Sequence, residues 1–165
     1  MKTQTLILSL ILLPTLLLSQ NIFDKYEDMD QVSSVIVNEK MFKMLADVET
    51  NDPDSGAFIS QAKMLKNLTV FTTSSLDITN SIEKDVASYI ESSKLEELMR
   101  IKDGASSIKF FILEGSDDNH VKELLMFVKG LTEMTQDRNF SVNGKQLEIE
   151  TVLLSLKGNI DLREV

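Results

Sequence analysis

Two consecutive runs of strand length, Ile108 to Glu114 and Val121 to Lys129, carry apolar side chains on both faces. Side chains alternate along a strand. Ile108, Phe110 and Ile112 therefore share one face and Phe111 and Leu113 the other; in the second run Leu124, Met126 and Val128 oppose Leu125 and Phe127. A strand with one wet face alternates apolar and polar residues, so this pair belongs in a sheet that needs cover on both sides. The polar turn Gly115 to Asn119 between them predicts a hairpin. Helices with single apolar stripes are expected over the even-numbered set. That leaves Phe111, Leu113, Leu125 and Phe127 as the face to be covered by the N-terminal arm with Phe23 and Tyr26, by the 130–146 excursion, or by a partner. These four residues are the candidate partner-binding face.

The remaining elements follow from local pattern. Gln20 to Asp30 reads as a short helix or arm, and Val32 to Val37 as a β-branched first strand. Asn38 caps a helix through Val48, whose buried face is expected to be Met41, Met44, Leu45 and Val48. After the turn-rich loop Asn51 to Gly56, a second helix is expected from Ala57 to Lys66, with Phe58, Ala62 and Leu65 inward. A strand follows over Leu68 to Thr73. Asn80 with Glu83 resembles a capping box, and Ile82, Val86 and Tyr89 form the stripe behind it. Leu95 to Lys102 fits helix or strand; Asp103-Gly104 favours a hairpin and hence a strand. Gly130 to Gln146 is a polar excursion with a turn signal at Asn143-Gly144. The last strand, Leu147 to Leu156, changes phase near Thr151, which suggests a bulge, and Gly158 is expected to stop it. The expectation is an α+β fold of order β-α-α-β-α-β-β-β-β, an antiparallel-rich sheet of about six strands with helices mainly on one face.

The N-terminus carries an address. Lys2 precedes the apolar run Leu6 to Leu18, about 13 residues, too short for a bilayer core of roughly 30 Å but suited to a signal peptide. Ser19 offers a cleavage point before Gln20. Residues 1–19 are thus read as a signal peptide and residues 20–165 as one α+β domain, periplasmic or secreted. The chain has no cysteine, so no lipid is attached through one, no disulfide framework forms and the core alone must hold the fold. The formal charge of −9 argues against nucleic-acid backbone binding and against docking on anionic lipid.

Chemistry-bearing motifs are sparse. Ser-x-x-Lys occurs at Ser60/Lys63, Ser81/Lys84 and Ser106/Lys109, a spacing that serves acyl transfer, yet no Ser-Asp-Asn or Lys-Thr-Gly partner accompanies it. Asp52-x-Asp54-x-Gly56 lacks the calcium-loop glycine and glutamate, with Ala57 and Lys63 in their places. Asp117, Asp118 and His120 share a hairpin tip, and Asp24, Glu27 and Asp28 one helix face; solvated turns and faces are the commoner use of such groups. Asn67-Leu68-Thr69 and Asn139-Phe140-Ser141 are glycosylation sequons relevant only to a eukaryotic secretory route. No cofactor, metal or catalytic residue is assigned.

Phe23-Asp24-Lys25-Tyr26, the strand Val32 to Val37, Met41-Phe42, Leu95 to Met99 running into Lys102-Asp103-Gly104, Lys122 to Met126 and the closing Gly158 to Leu162 occur in an order and spacing that resembles the domain of unknown function 4252 family of exported bacterial proteins. The resemblance spans nearly the whole mature chain. It implies a signal-bearing α+β domain without assigned activity or catalytic residues. It also implies encoding near extracytoplasmic sigma-factor systems, and hence envelope-stress physiology. Many members are lipoproteins, and the absence of cysteine sets this chain apart from them. The expected function is a non-catalytic binding or envelope-associated accessory protein, acting on a protein partner or by self-association. The alternative is a secreted hydrolase-like enzyme with a carboxylate or serine site.

Overall fold

In the computed structural model, which describes residues 22–47, 59–117, 119–135, 141–142, 145–146 and 149–163, a six-stranded antiparallel sheet organises the chain. Its strands are β1 (Ser33–Asn38), β2 (Leu65–Thr73), β3 (Glu96–Asp103), β4 (Ser106–Glu114), β5 (His120–Lys129) and β8 (Thr151–Asp161). They lie in the order β1-β2-β8-β5-β4-β3. The last strand thus enters the middle of the sheet, and β1 and β3 are its edges. The helices are α1 (Glu39–Ala46), α2 (Leu76–Ser93) and α3 (Leu131–Thr135), with a helical turn at 59–62. Two-residue strands β6 (Ser141–Val142) and β7 (Lys145–Gln146) pair within the excursion. The hairpins are local: β3 and β4 close over a two-residue loop, with Asp103 opposite Ser106 and Gly104 at φ +57° taking the first loop position.

The main core lies between α2 and one sheet face. Ile82 and Val86 pack on Phe71, Phe111, Leu125, Phe127 and Leu153, and the arm adds Phe23 and Tyr26. Phe23 meets Tyr89 edge-on at 5.0 Å. The arm is a single 3-10 turn, Asp24–Tyr26, held to α2 where the Tyr26 hydroxyl donates to Asp85 and Lys25 pairs with the same carboxylate. The two threonine hydroxyls of Thr79 and Thr151, 2.8 Å apart, and the Lys129–Glu83 ion pair fix the other half of α2 over β8 and β5. On the opposite face, Phe42 and Ala46 of α1 and Ala62 pack over Val37, Leu68 and Leu156 at one end of the sheet.

Several local expectations are corrected by packing. The face under α2 is the odd-numbered set, so Phe111, Leu125 and Phe127 are core residues and Leu113 packs at its margin. The even-numbered set faces the other way. In α1 the cap is as expected, with Asn38 Oδ1 accepting from the Met41 N–H, but Phe42 and Ala46 point inward while Met41, Met44 and Leu45 are exposed; the aromatic ring buries more apolar surface than a methionine in the same stripe. Helix α2 starts one turn before Asn80, where Ser75 Oγ accepts from the Ile78 N–H. The strand expected at Leu68 begins at Leu65, and the helix expected through Lys66 ends at 62; Phe58 lies outside the described residues. Gly158 does not stop the last strand, which runs on to Asp161. A side chain at 158 would place its Cβ 2.4 Å from the Met64 carbonyl oxygen. The glycine therefore lets β2 approach where the pairing shifts register between Leu65 and Asn67.

Candidate functional site

A hydrogen-bonded set of polar and titratable side chains lies beneath the C-terminal half of α2. Glu123 projects from β5 and is 3% exposed. Its carboxylate accepts from Ser155 Oγ at 2.7 Å and from the Tyr89 hydroxyl at 2.8 Å. Lys157, two residues beyond Ser155 on the same face of β8, donates to the Tyr89 oxygen at 3.0 Å and stands 3.7 Å from Glu123 Oε2. Burial raises the Tyr89 pKa, with the Lys157 bond opposing. Burial works against the Lys157 ammonium, but its bond to Tyr89 and the charge of Glu123 outweigh it and its pKa is raised. Each of the four side chains is hydrogen-bonded to at least one other member of the set. The arrangement ties α2 to two central strands and meets the requirement that a buried charge be paired and hydrogen-bonded. The pattern reading passed over these residues. Their signal is a lone Glu123 inside an apolar strand and a Ser-x-Lys spacing in another.

The motif residues are placed apart. Ser81 and Ser106 donate to the carbonyls of Asp77 and Gly130, and three residues along β4 put Ser106 and Lys109 on opposite faces. Ser60 and Lys63 sit at the helical turn that packs beside α1. The Asp52/Asp54/Gly56 loop and Asn139 lie outside the described residues, and Asn67 lies within β2, where Thr69 Oγ1 donates to its side chain. Asp24, Glu27 and Asp28 are exposed around a turn too short to align a helix face. At the hairpin tip, His120 Nδ1 lies 2.8 Å from Asp117 and Nε2 3.9 Å from Asp161. His120 and Asp117 border a cleft of about 220 Å³ that Ile112, Val121 and Leu162 also line. Hydrogen bonds from His120 and the Asn119 N–H lower the Asp117 pKa, and Arg163 holds the Asp161 carboxyl well below the usual range. Asp118 lies outside the described residues. Among the described residues no three such side chains are grouped to hold a metal ion.

The surface that stands out is the outer face of the sheet, away from α2. One cross-strand row, Val35–Val70–Leu154–Met126–Phe110–Met99, runs through all six strands in register. A second, Thr72–Val152–Val128–Ile108–Ile101, lies beside it. Neither row carries a charge. Among the described residues no hydrophobic cluster reaches Val35, Val70, Leu154, Met126 or Met99. The ends of the first row, Val35 and Met99, are 56% and 46% exposed. The edge strand β3 is exposed throughout, but Glu97, Arg100 and Lys102 and a register shift between Glu97 and Met99 guard it against strand addition.

An open six-stranded antiparallel sheet with one long helix across one face defines an α+β domain; its other sheet face is lined mainly by apolar side chains, of which Phe110 packs with Val121, Leu124 and Ile160 and Val128 is buried. Residues 26–165 match the family model described as Domain of unknown function (DUF4252), and the chain belongs to that family. Neither the curated proteins nor the solved structures yield a match. No described helix is long and apolar enough to cross a membrane.

Proposed function

We propose that this chain is an exported, non-catalytic binding protein that docks a protein partner through the outer face of its sheet. One observation carries the reading: an uncharged apolar row crosses six strands of a chain that is 26% charged. Contiguous apolar surface of a few hundred Å² marks an interaction site. Export is supported by the signal-like leader, Lys2 followed by the apolar run Leu6 to Leu18 and Ser19. The partner-facing residues thereby move from Phe111, Leu113, Leu125 and Phe127 to Val35, Met99, Phe110 and Met126.

The test is surface labelling of the exported protein with an apolar dye and by hydroxyl-radical footprinting. Met99 and Met126 should be accessible in the isolated monomer and protected in its complex. Protection of both in a verified monomer means that the chain itself covers the face, which ends the proposal. The hydrolase alternative would rest on Ser155 and Glu123. A fluorophosphonate probe should leave Ser155 unlabelled, and labelling that disappears in Ser155→Ala would replace the binding reading with an enzymatic one.

A further inference from the structure

The two edges of the sheet are built differently. β3 carries Glu96, Glu97, Arg100, Lys102 and Asp103 and a register shift, the devices that keep a foreign strand away. β1, the opposite edge, reads Ser-Ser-Val-Ile-Val-Asn and has none of them. It holds no charge, proline or glycine, and it pairs with β2 from Ser33–Thr72 to Asn38–Asn67 without a shift. Five of its six residues are exposed, Val35 at 56% and Ile36 at 43%. Helix α1 leaves the strand at Asn38 and packs inward over Val37, Leu68 and Leu156, and the arm packs on Phe71 and Tyr89. Among the described residues nothing pairs with the outer side of β1.

The backbone defines the occupant. In an antiparallel strand alternate residues turn both N–H and C=O to the same side. Half of β1 therefore bonds to β2, and the other half presents donors and acceptors outward in one line. Only an extended backbone repeats them at that spacing. Side chains alternate as well, Val35 lying on the α1 side and Ile36 on the α2 side, so an added strand meets an exposed aliphatic neighbour on each face. We infer that β1 takes an extended segment of another protein as a seventh, antiparallel strand of the sheet, with an uncharged middle and a basic C-terminal end. Charge sets that end. The exposed acids Glu27, Asp28 and Asp30 precede β1, whereas Lys40 follows it and Glu39 is paired with Lys43 at 2.7 Å. An antiparallel segment lays its C-terminal end beside those acids. A second copy would bring its own −9 to the contact, which a basic-ended segment does not. Main-chain bonds supply the affinity and alternate side chains the selectivity. The edge is distinct from the outer rows, since Ile36 lies on the row through Thr69, Ser155, Leu125 and Phe111, on the α2 side.

The probe is a dye-labelled peptide of alternating valine and threonine that ends in two lysines. Its binding to the exported protein is followed by fluorescence anisotropy and by amide hydrogen exchange resolved by nuclear magnetic resonance. In the free monomer alternate amides of β1 should exchange freely, and the peptide should slow those same amides about tenfold or more. Ile36→Lys puts on β1 the guard that β3 has; it should weaken binding about tenfold with unchanged circular dichroism. The same peptide ended by glutamates should bind about threefold less tightly at low salt. A peptide that protects no β1 amide, or that binds Ile36→Lys as well as wild type, would overturn the inference. Alternate amides already protected in a verified monomer would mean that the chain covers its own edge, with the same consequence. Protection that grows with protein concentration in the absence of peptide, together with a dimer in sedimentation, would give the edge to a second copy and overturn it too. Each of these outcomes leaves the sheet-face reading, which is read at Met99 and Met126, where it stands.

Discussion

Replacing Glu123 by leucine should be among the most damaging changes to the core. The carboxylate is 3% exposed and accepts two hydrogen bonds, from Ser155 at 2.7 Å and Tyr89 at 2.8 Å. Bonds to a charged group contribute about 1.5–3 kcal/mol each. Leucine leaves the Ser155 hydroxyl buried without this acceptor and deprives Lys157 of its countercharge, while Tyr89 keeps its bond from Lys157. Breaking a buried pair costs about 3–5 kcal/mol. The added apolar contact recovers some of that, so the expected loss is about 3 kcal/mol. At roughly 3 °C per kcal/mol for a domain of this size, Tm falls by about 10 °C. Glu123→Gln keeps the shape and one acceptor and should cost about 1–2 kcal/mol. The decisive variant replaces the whole set: Glu123→Leu, Ser155→Ala, Tyr89→Phe and Lys157→Met together. With no polar group left unpaired, it should return to within about 1 kcal/mol of wild type. Urea unfolding followed by far-ultraviolet circular dichroism measures all three, the chain having no tryptophan. A Glu123→Leu protein of wild-type stability, or a fourfold variant as weak as the single one, would refute the account of the cluster.

Other outcomes are expected along the chain. Phe111→Glu places an unpaired charge beneath α2 and should lose several kcal/mol, about 3 or more, in the same urea assay; a stable mutant would contradict the face assignment. Gly130→Ala forces a left-handed residue at φ +71° and brings a Cβ within 2.8 Å of Ser106. It should cost about 1–3 kcal/mol, and an unchanged urea midpoint would discount the close approach. The Asp161 carboxyl has a folded pKa held below its unfolded value, so its contribution is present above about pH 4 and is lost as pH falls through the folded pKa. Carbon-13 titration should find a depressed midpoint that rises in Arg163→Met, and no movement would mean the pair does not form in solution. Intact-mass measurement of exported protein should give a chain starting at or near Gln20; retention of residues 1–19 would reject the signal-peptide reading.

What the sequence determined is what acts over a few residues. The β-branched run Val32 to Val37, the apolar run Ile108 to Glu114, the turn between Glu114 and His120, the Asn38 cap and the Ile82–Val86–Tyr89 stripe all appear in the fold close to where pattern puts them. Strand period and helix capping are local, so one chain suffices to read them. The choices left to tertiary structure were between near-equals. Both faces of β4 and β5 are apolar, and only the landing of α2 and of Phe23 and Tyr26 made Phe111 core and Phe110 outer surface. Phe42 displaced Met41 and Met44 from the inner side of α1 because the ring finds Val37 and Leu68 below it. Ser75 prevailed over Asn80 as a helix start once Thr73, whose hydroxyl donates to the Gln31 carbonyl, fixed the entry to α2. Glu123, Ser155, Lys157 and Tyr89 lie on three elements up to 68 residues apart. No spacing along the chain brings them together, because their juxtaposition depends on β8 inserting between β2 and β5.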